Sequence, residues 1–583
     1  MSKIKMTING REVEAYEGQT VLEAAKNNGI HIPTLCYLKN YTGTGACRVC
    51  QVEVEGARTL CAACVYPVRE GLVVNTNSKK ALDARRNIVE LIVSNHSKDC
   101  LSCIRNTNCE LQKLCQELGV REDAYKGEKT PPTFDEVAPG VVRNTSKCVL
   151  CGRCIAACQK HQGLGILGYM NRGFKTKVGP VYDKSLNDVD CMQCGQCINV
   201  CPVGALHEKE EVHDVINALN DPKKFVVVQT APAVRASLGE EFGLPIGTNV
   251  TGKMASALKL VGFDRVYDTN FGADLTIMEE GYEFLNRVKN NGVLPMITSC
   301  SPGWINYVEH EYPEILDHLS SCKSPHMMLG AMIKSRFAEV NKIDPKDIYT
   351  VSIMPCTAKK GEKLREENKV DGVQDVDAVL TTRELGKLIK MYGINFTELK
   401  DGEFDQDLFG EYSGAGVIFG ASGGVMEAAL RTVVDVLSGE DLNTLDYHQV
   451  RGEVGLKEAS LKVGDLTVNV AVASSMSVAK PLLDDIKEGK SKYHFIEIMG
   501  CPGGCVNGGG QSYVNATIRN SGFDYKTARA KALYDEDVSL PVRKSHKNSQ
   551  IQQLYKDYLG EPNSEKAHHL LHTHYTKKER FKF

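Results

Sequence analysis

The sequence predicts a multidomain protein in which small α+β units precede a larger α/β unit. Its 583 residues exceed what a single hydrophobic core usually holds. Most of its 22 cysteines fall in short-spaced clusters before residue 210. Beyond about residue 210, apolar strands at 225–228, 416–419 and 468–473 alternate with longer helical stretches, which is typical of mainly parallel sheets.

The overall composition excludes several kinds of partner. The net charge is −3, from 70 basic and 73 acidic residues, and no polybasic tract suggests nucleic acid or a membrane surface. No run approaches the roughly eighteen apolar residues of a membrane span, and residues 1–10 lack the apolar stretch of a signal peptide. Clustered cysteines in such a chain indicate metal thiolates rather than disulfides. We therefore expect a reduced, cytoplasmic protein from an anaerobic setting.

Residues 1–79 begin with a hairpin and a short helix. Apolar residues alternate up to an Asn9–Gly10 turn. Thr20 can cap a helix that ends near Gly29. The candidate iron ligands follow, namely Cys36, Cys47, Cys50 and either Cys61 or Cys64.

This arrangement resembles the plant-type [2Fe-2S] ferredoxin, a β-grasp domain, in the long-spaced version found in hydrogenases and in the large iron–sulfur subunit of complex I. In that family the last ligand lies in an Ala-Cys-x-x-Pro-Val context, which residues 63–68 match. The resemblance therefore implies Cys64 as the ligand and leaves Cys61 as a buried thiol.

Residues 80–125 start with a helical pattern and continue with His96-x3-Cys100-x2-Cys103-x5-Cys109. A lone histidine is usually only a satisfied polar residue, but here three cysteines lack a fourth ligand. The arrangement resembles the [4Fe-4S] site of the same two families that is held by one histidine and three cysteines. An imidazole in place of a thiolate changes the cluster charge and its potential. Cys115 lies outside the pattern and is expected to be structural, and residues 116–140 form a linker.

Residues 140–209 carry two four-cysteine runs, the second followed by Pro202. This is the run of bacterial two-cluster ferredoxins, in which the fourth cysteine of each run binds the other cluster. One [4Fe-4S] cluster is expected on Cys148, Cys151, Cys154 and Cys201, and the other on Cys158, Cys191, Cys194 and Cys197. Structural zinc sites are the alternative, but those use separated C-x-x-C pairs.

Residues 210–583 carry three cysteine loops, at Cys300, at Cys356 and at Cys501 to Cys505. The first two follow apolar runs, 293–297 and 349–353, which predict buried strands. Glycines around the third allow the backbone to approach a bulky group. Three loops offering soft ligands suggest one shared iron–sulfur site.

Together the three motifs resemble the signature of the [FeFe]-hydrogenases, and the resemblance spans essentially the whole chain. It implies a two-lobed α/β catalytic domain and an H-cluster, a [4Fe-4S] cluster bridged to a diiron centre with CO, cyanide and azadithiolate. With one [2Fe-2S] and three accessory [4Fe-4S] clusters, it implies the reaction 2H⁺ + 2e⁻ ⇌ H₂. No G-x-G-x-x-G follows a strand here, so electrons are expected to arrive through the clusters.

The resemblance also assigns roles to individual residues. Cys356, Cys501 and Cys505 would bind the H-cluster, with Cys505 bridging, and Lys359 would donate to a cyanide ligand. The pocket would be lined by Ala231, Pro232, Met354, Phe419 and Met499, for which core packing is the plainer interpretation. The proton relay would comprise Cys300, Glu280, Ser320, Glu283 and Arg287. Glu283 and Arg287 at helical spacing are, alternatively, only a surface pair.

Ser301 departs from the family motif. The family has Thr-Ser-Cys-Cys-Pro, whose first cysteine transfers protons and whose second binds the cubane, whereas this chain has Cys300 followed by Ser301. A serine oxygen is a poorer iron ligand than a thiolate. Either Ser301 binds through oxygen, or Cys300 becomes the ligand, or the site is weakened. Cys322 and His326 also stand where other residues are expected.

The C-terminal histidines 568, 569, 572 and 574 suggest a metal tract, but a solvated helix end is the preferred interpretation. The expected partners are ferredoxin and hydrogenase maturation proteins. The alternative is the hydrogenase subunit of an NAD(H)- and ferredoxin-linked bifurcating complex with flavin and small iron–sulfur subunits. A non-catalytic electron relay of the complex I type, which would not need the three late cysteine loops, and a sensory hydrogenase are further alternatives.

Overall fold

The computed structural model describes residues 2–441, 445–452, 455–463 and 466–581. The first 79 residues form a five-stranded sheet with strand order β2-β1-β5-β3-β4 and one helix. The elements are β1 (Lys3–Ile8), β2 (Arg11–Tyr16), α1 (Val21–Asn27), β3 (Gln51–Val54), β4 (Cys61–Ala62) and β5 (Val73–Asn75). The hairpin turns at Asn9 and Gly10, as expected. Thr20 and Glu23 cap α1 reciprocally, which confirms the predicted start of this helix.

Two helices and a small cysteine-rich unit follow. The helices are α2 (Lys79–Asn95) and α3 (Glu110–Leu118). The unit contains β6 (Phe134–Asp135), β7 (Val141–Asn144), α4 (Arg153–Ala156), β8 (Gly168–Met170), β9 (Lys177–Gly179), α5 (Gln196–Val200) and β10 (Leu206–Glu208). Strands β10, β7 and β6 form one sheet, and β8 pairs with β9. The predicted linker 116–140 therefore contains the end of α3 and the strand β6.

The remaining chain is built on two four-stranded sheets. One is parallel throughout, with order β12-β11-β14-β15, and the other has order β13-β18-β17-β16, with only β16 antiparallel. The strands are β11 (Phe225–Thr230), β12 (Arg265–Asp268), β13 (Met296–Ile297), β14 (Ile348–Met354), β15 (Ala378–Thr381), β16 (Lys457–Val463), β17 (Leu466–Ser474) and β18 (Phe495–Met499). The expectation of mainly parallel sheets is confirmed.

Fifteen helices in the described part of this region surround the two sheets. They are α6 (Val212–Leu219), α7 (Thr251–Val261), α8 (Thr269–Lys289), α9 (Pro302–Glu311), α10 (Pro325–Met332), α11 (Ala338–Asn341), α12 (Lys359–Glu362), α13 (Thr382–Met391), α14 (Gly414–Val417), α15 (Gly424–Ser438), α16 (Met476–Lys487), α17 (Ala516–Arg519), α18 (Tyr525–Ser539), α19 (Ser549–Leu554) and α20 (Glu565–Leu571). None of the described helices combines the length and the apolar character that a membrane span requires.

One predicted strand is wrong. Residues 416–419 lie in α14 and the 3₁₀ turn Ile418–Gly420. A Cβ on Gly416 would lie 2.6 Å from the carbonyl oxygen of Asn270, so the glycine lets α14 pack closely on α8. A short apolar run that is fully buried has the same composition in a strand and in a helix, so tertiary packing decided between them.

The parallel strands place their carboxyl ends at the cysteine loops. Cys300 follows β13, Cys356 follows β14 and Cys501 follows β18. In open α/β sheets, ligand sites form outside the carboxyl ends of the strands. The topology therefore brings three loops that are far apart in sequence to one region.

The cysteine-rich unit docks against these loops through buried polar contacts. The Arg383 guanidinium binds both carboxylate oxygens of Glu208, at 2.9 and 2.8 Å, and donates to the Gly509 carbonyl at 2.7 Å. Burial alone would raise the pKa of Glu208, but the Arg383 charge and hydrogen bonds hold it at about 2.

Arg383→Met should therefore destabilise the protein markedly. It leaves the Glu208 carboxylate buried and unpaired, which costs about 3–5 kcal/mol in free energy of unfolding. Urea denaturation followed by circular dichroism measures the loss. Lys531→Met, which removes an exposed ion pair with Asp535 on α18, serves as the control and should cost below about 1 kcal/mol. Equal effects of the two substitutions would contradict this account.

Candidate functional site

Four thiols of the N-terminal domain converge. Cys36 is hydrogen-bonded to the thiols of Cys47 and Cys64, and Cys64 to that of Cys50. These thiol–thiol bonds lower the pKa of Cys36 and raise that of Cys64. The amide of Cys36 donates to the Cys47 sulfur at 3.4 Å, as amides around iron–sulfur clusters do. The set fits a four-thiolate iron site.

Cys61 lies apart from these four thiols. Its thiol contacts the Thr59 carbonyl at 3.7 Å and is partly exposed. The expectation of a buried thiol was wrong, because Cys61 is on β4, the edge strand of its sheet, which leaves one side open.

A cavity of about 270 Å³ joins His96 to the next cysteines. It is lined by His96, Cys100, Cys103, Cys109 and Cys115, among others. Burial and the nearby Lys147 charge lower the pKa of His96 to about 4, so the imidazole is neutral near pH 7 and retains a lone pair for a metal. Its Nδ1 atom is buried and without a hydrogen-bond partner. The donors present fit a cluster, and Cys115, expected to be structural, adds a fourth sulfur to the cavity wall.

Two further cavities reproduce the interleaved cysteine sets. Cys148, Cys151, Cys154 and Cys201 line one. Cys158, Cys191, Cys194 and Cys197 line the other. Burial raises the pKa of Cys151 and of Cys191 to about 12, so only a cation would hold these thiols as thiolates. The structure brings together the two sets that the spacing predicts, and each offers four soft ligands.

The cysteines of the three late loops lie beside the second of these cavities. Cys501 is buried and Cys356 and Cys505 are half-buried, and mutual repulsion adds to burial in raising the pKa of Cys501 and Cys505. Cys194 is close enough that its charge also raises the pKa of Cys501. Three convergent thiols without disulfides fit an iron–sulfur cluster.

Cys300 and Ser301 face different neighbours. The Ser301 hydroxyl accepts a hydrogen bond from the Gly500 amide at 3.0 Å, next to Cys501. Burial, followed by the Glu280 charge, raises the pKa of Cys300 well above its usual range, while Lys359 opposes this. Cys300 is thus a neutral thiol between an acid and an ammonium group, and Ser301 lies on the side of the clustered thiols.

Lys359 is held in a buried network. Its ammonium group donates to the Cys300 carbonyl at 3.1 Å and pairs with Glu362 at 2.8 Å. His326 contacts the same carboxylate oxygen of Glu362, Oε2, at 2.7 Å. Burial and Lys359 lower the pKa of His326 to about 4, so His326 is neutral and orients the carboxylate rather than competing for it. Sequence analysis noted His326 as unexpected but gave it no role.

The predicted pocket residues are buried near the strand ends. Ala231 and Pro232 follow β11, and Met354 and Met499 are the last residues of β14 and β18. Phe419 lies in the 3₁₀ turn Ile418–Gly420. Phe419 and Met499 also belong to a hydrophobic core, as the packing interpretation expected. Glu497 was missed: it lies on β18, accepts amide hydrogen bonds at 2.7 Å from Gly423 and Met426, and acts on Cys300. The sequence feature that could have identified Glu497 is a single acidic residue inside an apolar strand.

Glu280 is a buried, unpartnered acid. Neither carboxyl oxygen has a hydrogen-bond partner, and burial followed by repulsion from Glu283 raises its pKa to about 8. Ser320 donates to Glu283 at 3.1 Å, and Arg287 donates to Glu283 at 2.7 Å. Arg287 also donates to the Leu319 carbonyl. The five predicted relay residues therefore lie in one region, from Cys300 to the partly exposed Arg287.

Comparisons with known proteins agree along the chain. Family models match as the 2Fe-2S iron-sulfur cluster binding domain at 1–79, the NADH-ubiquinone oxidoreductase-G iron-sulfur binding region at 85–124 and the NADH-quinone oxidoreductase subunit 3 ferredoxin-like domain at 138–207. The C-terminal domain of the iron only hydrogenase large subunit matches 224–509, and the iron hydrogenase small subunit matches 523–578.

Full-length relatives are also found. The NADP-reducing hydrogenase subunit HndD of Solidesulfovibrio fructosivorans is 46% identical over 100% of both chains. Iron hydrogenase 1 of Clostridium pasteurianum is 43% identical over 98% of this chain and 99% of its own. A variant of apo [FeFe]-hydrogenase HydA1 from Chlamydomonas reinhardtii is 42% identical, with a TM-score of 0.56, over 64% of this chain and all of its own.

The substitutions Cys64→Ser and Cys61→Ser should have opposite effects on the [2Fe-2S] cluster. Only Cys64 lies among the four convergent thiols, so its loss should remove the [2Fe-2S] signal, whereas Cys61→Ser should keep it. Iron and sulfide content and the electron paramagnetic resonance spectrum of the dithionite-reduced protein measure this. Loss of the signal in Cys61→Ser with retention in Cys64→Ser would reverse the assignment.

Proposed function

Because this chain belongs to the iron-only, or [FeFe], hydrogenases, we propose that its catalytic centre is held by Cys356, Cys501 and Cys505 and catalyses 2H⁺ + 2e⁻ ⇌ H₂. The observation that carries this proposal is the convergence of three thiols from two separate strand ends. When bound, the H-cluster supplies the site at which protons are reduced or H₂ is oxidised. The residues described below bind that group and move protons and electrons toward it.

Ser301 takes the fourth cubane position in this proposal, and Cys300 keeps the proton-transfer role. The support is geometric, since Ser301 faces Gly500 and Cys300 is near Glu280 and Lys359. A hydroxyl is a hard and weak ligand for iron, so this cubane has three strong ligands. Ala231, Pro232, Met354, Phe419 and Met499 would line the pocket and exclude water, and the ammonium group of Lys359 would donate to an anionic ligand of the bound group.

Glu280 carries protons between Cys300 and the outer part of the relay. A pKa of about 8 means that the carboxyl group is protonated at neutral pH and gives up its proton slightly above it. Its unpartnered oxygens leave it free to exchange hydrogen-bond partners. Ser320 lies beside Glu280 and donates to Glu283 at 3.1 Å, and Arg287 holds Glu283 in place.

The accessory cavities form a continuous electron route. Cys103 lies against Gly204, close to the first cubane cavity. The two cubane sets are also close, because the charge of Cys197 raises the pKa of Cys154. Cys194 of the second set acts on Cys501. Arg153 of the first set donates to the Tyr37 carbonyl at 3.3 Å, next to Cys36. Both the [2Fe-2S] site and the His96 site therefore adjoin the first cubane.

We divide the chain on this basis into four domains: residues 1–79 for the [2Fe-2S] cluster, 80–125 for the His96 cluster, 140–209 for two [4Fe-4S] clusters and 210–583 for the H-cluster. The ligands of each accessory cluster lie within one range, since the cavities group them that way.

Ferredoxin is the proposed electron partner, and the His96 site is its proposed docking region. Leu101, between two ligand cysteines, is 94% exposed, and Lys98 and Lys129 flank His96. Apolar and cationic groups beside a cluster suit a small acidic electron carrier. A nicotinamide- and ferredoxin-linked complex is the second candidate, because the relative that matches over its whole length is a subunit of an NADP-reducing hydrogenase. Co-purification of a flavoprotein would favour the second candidate.

An infrared spectrum tests the proposed centre directly. Protein produced anaerobically with hydrogenase maturation proteins should show intrinsic CO and cyanide stretching bands. Cys505→Ser should lose them, because it would remove one of the three thiolates that hold the group. Ser301→Cys, which restores a fourth thiolate, should keep them. Bands in Ser301→Cys but not in the unaltered protein would show that Ser301 prevents assembly, and absence from both would refute a diiron centre.

Glu280→Gln should reduce H₂ evolution by at least about 100-fold, because an amide cannot carry the proton. In the unaltered protein the carboxyl group loses its proton as the pH rises through about 8, so evolution should fall there. The free energy of unfolding should fall as the pH rises from 4.5 to about 8, because in this range the Glu280 carboxyl group is ionised in the unfolded protein but still protonated in the folded one. Methyl-viologen assays from pH 6 to 9 test the rate, with unchanged infrared bands as the control. Full activity in Glu280→Gln would exclude the residue from the relay.

A further inference from the structure

The C-terminal segment reaches the proton relay. His572 follows α20 and forms a β-bridge with Cys322. Its Nδ1 atom lies 2.8 Å from the Ser321 hydroxyl, which lies 3.2 Å from Glu283 Oε2. The interpretation of the four histidines as a solvated helix end is wrong for His572, which is 8% exposed. Two acids of α8, Glu279 and Glu283, lie beside it.

Charged and titratable groups face His572 from every side. On α8, Glu279 lies 2.9 Å from His572 Nε2, and Glu283 is reached through Ser321. The Cys322 thiol contacts Glu283 at 3.8 Å. Tyr555, in the π-helical turn after α19, donates to Glu279, as does the Asn563 amide. His568, one turn earlier on α20, stacks on His572 with ring centroids 3.9 Å apart and is exposed.

Glu283 is the branch point of this network. It accepts hydrogen bonds from Ser320, Arg287 and Ser321. Arg287 lies at the outer end of the predicted relay, but a guanidinium does not release its proton in proteins. An imidazole, in contrast, changes protonation near neutral pH. The only imidazole hydrogen-bonded within the described part of this network is that of His572.

Resting on the function proposed above, we propose that His572 is the residue through which Glu283 exchanges protons with solvent, with the Ser321 hydroxyl as the link. In the inward direction, protonated His572 donates its Nδ1 proton to the Ser321 oxygen while Ser321 donates its own proton to the Glu283 carboxylate. Glu283 becomes neutral, and His572 keeps its Nε2 proton on Glu279. The Ser321 hydroxyl then turns toward Glu283, which frees the Nδ1 lone pair of His572 to take up a proton from water. The outward direction reverses each transfer.

A resident cation is the competing interpretation of these side chains. One donor atom each from Glu283, Cys322 and His572 lie within 4.8 Å of one another. The Glu283 carboxylate and both imidazole nitrogens of His572 already have hydrogen-bond partners. Burial, followed by repulsion from the neighbouring carboxylates, raises the pKa of the Cys322 thiol, which therefore stays protonated. A satisfied hydrogen-bond chain through a hydroxyl suits proton transfer better than a metal.

The test compares His572→Gln with His569→Gln in the matured full-length enzyme. His569 is on the same helix but is exposed and pairs with Asp371, outside the network. His572→Gln should lower the H₂ evolution rate at least about tenfold and change the shape of its pH profile, because an amide does not titrate. His569→Gln should match the unaltered enzyme. An unchanged rate and pH profile in His572→Gln would overturn the proposal.

Ser321 variants separate proton transfer from loss of structure. Ser321→Ala removes the hydroxyl link while His572 stays, and should reproduce the defect with unchanged infrared bands. Ser321→Thr keeps a hydroxyl and should restore the rate. If Ser321→Ala is fully active, or if His572→Gln is slow only because its bands are lost, His572 does not exchange the protons. Absence of bands from the unaltered protein would instead refute the proposed function.

Discussion

The close approach of two glycine backbones fixes the relation between electron transfer and catalysis. A Cβ on Gly509 would lie 2.2 Å from the Cys194 carbonyl oxygen, and one on Gly195, whose φ is +69°, would lie 2.5 Å from the Thr357 hydroxyl. Only glycine permits this contact between a ferredoxin loop and a catalytic loop. Gln196 and Asn199 secure it by donating to carbonyls of the catalytic loop at 2.8 and 3.0 Å. The proposed ligands of the second cubane and of the H-cluster are adjacent for this reason.

Burial governs the chemistry on both sides of that contact. The cluster ligands are neutral thiols until a cation stabilises their thiolates, so metal binding and thiol deprotonation are coupled. The same burial makes Glu280 a weak acid near neutral pH, whereas Glu362 is held ionised, at a pKa of about 2, by Lys359 and His326 despite its burial. One carboxyl group can therefore move a proton while the other fixes an ammonium group in place. The two roles follow from different partners and not from different residue types.

The accessory clusters were largely predictable from the sequence because their ligands are local. Within one run of C-x-x-C-x-x-C, a short turn brings three thiols together, and the cavities group the cysteines as the spacing implied. Cys61 shows the limit: spacing allowed it as well as Cys64, and the predicted burial of its thiol failed because β4 is an edge strand. The sequence also could not predict that Cys115 lines the cavity beside His96, since this depends on how α3 packs.

The sequence by itself determined the cofactor classes, the order of the domains and the strand ends that carry the three late cysteine loops, because these depend on residue type and short spacing. Only the tertiary structure decided which way Cys300 and Ser301 face, that residues 416–419 are helical, and that Glu280 is isolated from hydrogen-bond partners. It also carried His572 across more than 280 residues of chain to Glu283. Such contacts depend on the packing of distant segments, and no local pattern encodes them.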